Sequence, residues 1–227
     1  MKIGIIGALD CEITEFCKNF SAIETQYKGI YHGKCENNDV YICLAGVGKV
    51  NAAASTQRLC DLFDVDVVIN SGVAGGVSRN LRICDIAISE KLTYHDFSPI
   101  DVLDKYEPHC SVFRADEKLV NLAKKACDEI KVSENKFNYD VGMIVSGDMF
   151  VEDSAYVNYL HEKYSALCTE MEGAAVAHVC VLNNKPFVVI RALSDNADEN
   201  ADMSFEQMAA IAAKRACFTA EYIIRNL

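Results

Sequence analysis

Short apolar runs rich in Ile and Val recur along the chain at 2–8 (KIGIIGA), 39–45 (DVYICLA), 65–71 (VDVVINS), 83–89 (ICDIAIS), 141–146 (VGMIVS) and 186–193 (PFVVIRAL). Their length and β-branched content predict buried strands. Residues 25–34 have the weaker pattern of an edge strand, and 166–171 that of a short one. Between these runs the apolar period changes to that of helices, at 12–20, 49–63, 116–130, 154–164, 173–183 and 204–225. Ser204, followed by Glu206 and Gln207, is expected to cap the last helix. Continuous apolar strands alternating with helices predict an α/β fold: one domain over 1–227, with a central mixed β-sheet flanked by helices on both faces. Residues 97–113 are the least patterned stretch and are expected to form a loop over the sheet edge.

Composition narrows the function. With 51% hydrophobic residues the chain can bury a sizeable core. A net charge of −11 argues against nucleic acid as a partner, because displacing counterions from phosphates needs a basic surface. Eleven scattered cysteines, no two of them three apart, suit neither a disulfide framework nor a metal knuckle. Cys43, Cys60, Cys168 and Cys180 stand in apolar stretches and read as core residues, which implies a reducing cytoplasm. The opening MKIGIIGAL reaches Asp10 and Glu12 too soon for a signal peptide, and no apolar run is long enough to span a membrane.

Glycines cluster at Gly4 and Gly7, at Gly46 and Gly48, and at Gly72, Gly75 and Gly76, each expected to form a loop at the end of a strand. Ligands of α/β sheets collect at such ends. Neither a phosphate-binding P-loop nor a dinucleotide fingerprint is present, because Lys49 is followed by Val50 and the glycine spacings are wrong. Three carboxylates stand beside the same strand ends: Glu12 after the first strand, Glu172 where a short strand turns into a helix, and Asp195 after the last strong strand. His95 and His178 are isolated, and His178 on its apolar helix reads as a core histidine.

The blocks MKIGIIGALDCEI, GVGKVNAAAS, DVVINSGVAGG, YHD at 94–96, IVSGDMFV, EMEGAAVAHVC and FVVIRALSDNAD follow one another in an order that resembles the methylthioadenosine/S-adenosylhomocysteine nucleosidases of the nucleoside phosphorylase-like superfamily. The resemblance covers essentially the whole chain. It implies hydrolysis of an N-glycosidic bond, a role in methionine salvage, a homodimer, a small nucleoside as the only ligand, and no metal or cofactor. It also assigns roles to individual residues. Glu12 activates water and Asp195 is the acid, with Ser194 beside it helping to hold the base. Met171 and Glu172 cradle the ribose. Phe150 stacks on adenine, and Val151 offers backbone groups to its edge. Arg191 lies beneath the site, and Ala74 and Gly75 pass under the sugar. Leu9, Val47 and Phe205 line the 5′-thio pocket.

The chain departs from the family at Leu9, where Met is common, and at Val73, where a small polar residue is common. No role transfers to residues 97–110. The chemistry suits these groups: an oxocarbenium-like sugar calls for nearby carboxylates, and adenine leaves only when protonated. Three alternatives stay open. One is a nucleoside phosphorylase, which would need a cationic phosphate site where this chain has Asp10 and Glu12. The others are a non-catalytic purine binder and a nucleosidase for another adenine nucleoside such as aminodeoxyfutalosine.

Overall fold

Alternating apolar residues fill the two faces of the first strand, where Ile3, Ile5 and Ile6 are fully buried. Burying each such side chain contributes about 1.5–3 kcal/mol. In the computed structural model, which describes residues 1–134, 137–196 and 205–227 (without the side chains of 195, 196, 205 and 206), that strand is β1, Lys2–Gly7. It pairs in parallel with β4 (Asn38–Leu44) on one side and β5 (Val67–Gly76) on the other. Beyond β4 the sheet ends with β3 (Ile30–Cys35) and β2 (Ile23–Glu24), so the expected edge strand is two short strands joined by a turn.

On the other side the sheet curls. β10 (Phe187–Asn196) runs parallel to β5 and antiparallel to β6 (Ile86–Tyr94). β6 pairs with β8 (Tyr139–Ser146), β8 with β9 (Ala166–Glu170), and β9 returns to β5 through Gly75↔Thr169 and Gly76↔Cys168. Five strands therefore close into a ring from which β1, β4, β3 and β2 extend.

Helices cover both faces, as expected. α1 (Asp10–Asn19), α4 (Glu117–Ser133) and α7 (Phe205–Arg225) bury Phe16, Ala123 and Ala216 against Ile5, Ile69 and Ile190. α2 (Lys49–Phe63) and α6 (Gly173–Leu182) bury Leu59 and Val176 against Ile6, Val68 and Val189 on the other face. α5 (Ser154–Tyr164) packs Leu160 beside Val145 and Val151. Ser204, the expected cap of α7, lies outside the described residues. All eleven cysteines are free, and Cys43, Cys60, Cys168 and Cys180 are buried.

Two expectations need correction. Gly72, Gly75 and Gly76 do not form a loop: β5 stays extended through them. Gly4 and Gly7 likewise belong to β1. The unpatterned segment 97–113 holds a short helix, α3 (Val102–Lys105), and ends in β7 (Phe113–Arg114). β7 pairs with the far part of β6, beyond the residues that β10 occupies, and not with the open edge at β2.

Candidate active site

Arg191 projects from β10 into the fully buried space beneath the ends of β1, β5 and β9. Its Nη2 donates to Asn70 Oδ1 at 2.7 Å and to Glu170 Oε2. Nη1 lies 3.9 Å from Glu12 Oε1, and Nη2 is 3.5 Å from Glu172 Oε2. All three carboxylates are buried. Gly72 makes this packing possible, since a Cβ there would stand 2.2 Å from Arg191 Nη1 and 2.3 Å from Glu12 Oε1. Its role is thus to admit a buried ion cluster, whereas the sequence reading gave it to ligand approach.

Each carboxylate is held by backbone. Glu12, in the first turn of α1, accepts from Ala8 N at 2.6 Å and Leu9 N at 3.0 Å through Oε2, and from Val73 N at 2.8 Å through Oε1. A carboxylate offers about four lone-pair directions, so roughly one is left for a further donor. Glu172, at the start of α6, accepts from Gly48 N at 2.8 Å. Gly48 has φ +99°, which other residues rarely adopt, so the GVGK turn needs glycine to aim that N–H. Burial pushes the Glu172 carboxyl up to about 7; Arg191 and the Gly48 N–H oppose the rise, and Glu170 and Glu12 add to it. Burial works against the Arg191 charge, yet Glu170, Glu172 and Glu12 together raise its pKa.

Above this cluster opens a pocket. Leu9, Glu12, Val47, Ala74, Gly75 and Ser194 are among the residues that line it. Phe150, Val151, Met171 and Glu172 complete the group of expected residues that meet there. Phe150 is 59% exposed and stands at the mouth. Arg191 does not reach the pocket wall and acts on the carboxylates from below. The side chains of Asp195 and Phe205 lie outside the described residues. The backbone of Asp195 pairs with Gly75 immediately after Leu193 pairs with Ala74, so Ser194 is the extra residue of a bulge. Bulges commonly re-aim a side chain beside a site.

The sequence reading missed Ala8, Met149, Thr169 and Glu170 as lining residues; Val73, named there only as a departure from the family, also lines the pocket. Glu170 is the most consequential of these. It accepts from Arg191, from the Ser146 hydroxyl, and from the N–H groups of Glu172 and Gly173 at 3.0 and 2.6 Å. It therefore sets the turn from β9 into α6 that positions Glu172. The available signal was the i, i+2 repeat of Glu in TEMEG. The two histidines are not isolated: His95 Nδ1 meets Tyr156 Oη at 3.0 Å, and His178 Nδ1 meets Tyr94 Oη at 3.1 Å. His178 also stacks on Phe113, which fits its expected core role. Among the described residues, no group of three His, Cys, Asp or Glu is arranged to hold a metal ion. No described helix is long and apolar enough to cross a membrane.

Comparison with known proteins gives the site its context. Residues 2–225 match the family model described as the phosphorylase superfamily. A methylthioadenosine/S-adenosylhomocysteine nucleosidase from Neisseria meningitidis, in complex with methylthio-immucillin-A, is 31% identical, with a TM-score of 0.89 and coverage of 100% of this chain and 99% of that one. One from Colwellia psychrerythraea, in complex with adenine, is 32% identical, with a TM-score of 0.89 over 99% of this chain and 94% of that one. A futalosine hydrolase from Helicobacter pylori is 31% identical, with a TM-score of 0.87 over 100% and 98%. The chain belongs to the phosphorylase superfamily and, within it, to the methylthioadenosine/S-adenosylhomocysteine nucleosidases.

Proposed function

We propose that the protein hydrolyses the N-glycosidic bond of methylthioadenosine and S-adenosylhomocysteine, as a homodimer in the cytoplasm serving methionine salvage. The observation that carries this reading is the pocket wall itself. It presents Glu12 and Glu172, and no Lys or Arg stands among its described lining residues. A phosphate dianion would meet carboxylates there, with the nearby guanidinium already engaged by Glu170 and Asn70. Water is the nucleophile that such a wall accepts.

In the proposed reaction Glu172 accepts the ribose hydroxyls, using acceptor directions that Gly48 and Arg191 leave open. The C1′–N bond breaks with its electron pair passing to the purine. Asp195 delivers a proton to the imidazole nitrogen of the base as it leaves. A water held by Glu12 bonds to C1′ and gives its proton to Glu12, whose charge also stabilises the cationic sugar. Phe150 stacks on the base, Val151 reads its edge and Ser194 helps hold it. Met171, Ala74 and Gly75 surround the sugar; Leu9, Val47 and Phe205 take the 5′-thio substituent; Arg191 holds the carboxylates in place. A futalosine hydrolase stands among the similar structures, which is consistent with the alternative of another nucleoside, such as aminodeoxyfutalosine, as substrate.

The test is product analysis with and without phosphate. Adenine release at the same rate in both, with free 5-methylthioribose as the sugar product, is expected. The sugar 1-phosphate as major product would overturn hydrolysis in favour of phosphorolysis.

A further inference from the structure

Thr169 sits on β9 beside the pocket and is 6% exposed, yet its Oγ1 has no hydrogen-bond partner among the described residues. Buried hydroxyls are nearly always paired, so an unpaired one needs a reason. Valine has the same shape without the hydroxyl and would satisfy packing alone.

Register shows which part of the pocket the residue serves. Thr169 pairs with Gly75 of β5, and Gly75 pairs on its other side with Asp195 of β10. On β8 it pairs with Val145, which packs against Val77 and Val151. Thr169 therefore stands on the side of Val151 and one strand across Gly75 from the backbone of Asp195. The groups facing water and ribose, Glu12 and Glu172, are tied instead to Ala8, Leu9, Val73 and Gly48.

We propose that the Thr169 hydroxyl hydrogen-bonds the leaving heterocycle, which makes Thr169 a base-recognition residue of this pocket. The assignment rests on the nucleosidase reading given above. A hydroxyl both donates and accepts, so it can meet a ring nitrogen or an exocyclic amino group. A polar site built this way discriminates strongly against bases that lack the matching atom, because its own group is then left unpaired.

The test compares wild type, Thr169→Val and Thr169→Ser, with adenine as the probe. Calorimetry gives its dissociation constant, and initial rates on methylthioadenosine give KM and kcat. Thr169→Val is expected to weaken adenine binding and raise KM by roughly ten-fold, the worth of one neutral hydrogen bond in a closed site. Thr169→Ser restores most of the affinity. The melting temperature of Thr169→Val should equal or exceed that of wild type, since the variant removes an unpaired buried hydroxyl; a purely structural role predicts a fall. A panel of 1-deaza-, 3-deaza- and 7-deazaadenine and unsubstituted purine then locates the partner. The penalty of Thr169→Val should vanish for the one analogue that lacks the bonded atom. Unchanged adenine affinity in Thr169→Val, or an equal loss across the panel accompanied by a lower melting temperature, would overturn the assignment. Failure of wild type itself to bind adenine would overturn the reading of the pocket, and the assignment with it.

Discussion

Arg191 carries one charge and faces three carboxylates, so the cluster as built holds more negative charge than its cation balances. The Glu172 carboxyl, pushed up to about 7, relieves this by keeping a proton near neutral pH. Glu172 therefore binds its proton more tightly in the folded protein than at its ordinary value of 4.5. Its contribution to stability is complete below that ordinary value and is lost as pH rises through about 7. Wild type should lose melting temperature between about pH 5 and pH 8 more steeply than Glu172→Gln, which cannot titrate; parallel slopes would remove Glu172 as the cause. The kcat/KM of wild type should rise over the same range, because the role proposed for Glu172, accepting two ribose hydroxyls, needs the anion. Removing the cation is a harsher change. Arg191→Met leaves buried carboxylates without a partner, at a cost of about 3–5 kcal/mol, and should give little folded protein by circular dichroism. Glu12 and Glu172 were legible because they stand next to strand ends and match family blocks. Glu170 was not, since within ALCTE it reads as an alternating strand position, and its function depends on Arg191, twenty-one residues away in sequence.

The GVGK turn shows how an element passes geometry to the site. Lys49 Nζ donates to both oxygens of Asp96 at 2.7 Å, Lys49 N to Asp148 Oδ1 at 2.8 Å, and Asp148 N to Asp96 Oδ2 at 2.8 Å. These bonds tie the turn before α2 to the ends of β6 and β8, next to the Gly48 N–H that reaches Glu172. Partly exposed ion pairs add only about 0–1 kcal/mol to stability, so the worth of this one lies in position. Lys49→Met should leave the melting temperature nearly unchanged and lower kcat/KM. Loosening the Gly48 N–H takes a donor from the Glu172 anion, so the acid limb of the pH profile should also move to higher pH, and Lys49→Arg should recover it. A fall in kcat/KM with an unmoved acid limb would show that the clamp does not act through Glu172. Most elements were legible from period alone, since their apolar runs are uninterrupted. Two of the misplaced ends share one cause: the reading stopped β5 at Ser71 and β10 at Leu193, where glycine and polar residues begin. Those residues continue the strands because Gly72 must clear Arg191 and because Gly75 and Gly76 must reach β9 to close the ring. Pairings that join distant segments leave no local mark on the sequence.

A homodimer is predicted from the apolar side chains around the pocket opening. Met149 and Phe150 at its mouth are 42% and 59% exposed, and Val47 is 47% exposed. The segment between β6 and β7 separately exposes Phe97 at 40% and Tyr106 at 68%. Apolar side chains of this size on the surface mark a covered face when they adjoin one another, and two-fold dimers are the commonest soluble assembly. Each copy also carries a net charge of −11, so two copies repel through solvent. The Debye length falls from roughly 30 Å at 0.01 M salt to about 8 Å at 0.15 M, so added salt should weaken the repulsion more than it touches apolar contact. The expected result is a homodimer by light scattering at micromolar concentration, with a dissociation constant that tightens as salt rises over that range. Phe97→Asp and Tyr106→Asp should shift the protein toward monomer, while the melting temperature of the isolated copy changes little. A monomer that keeps full activity when diluted to nanomolar concentration, at any salt, would sink the dimer and leave the pocket complete within one chain.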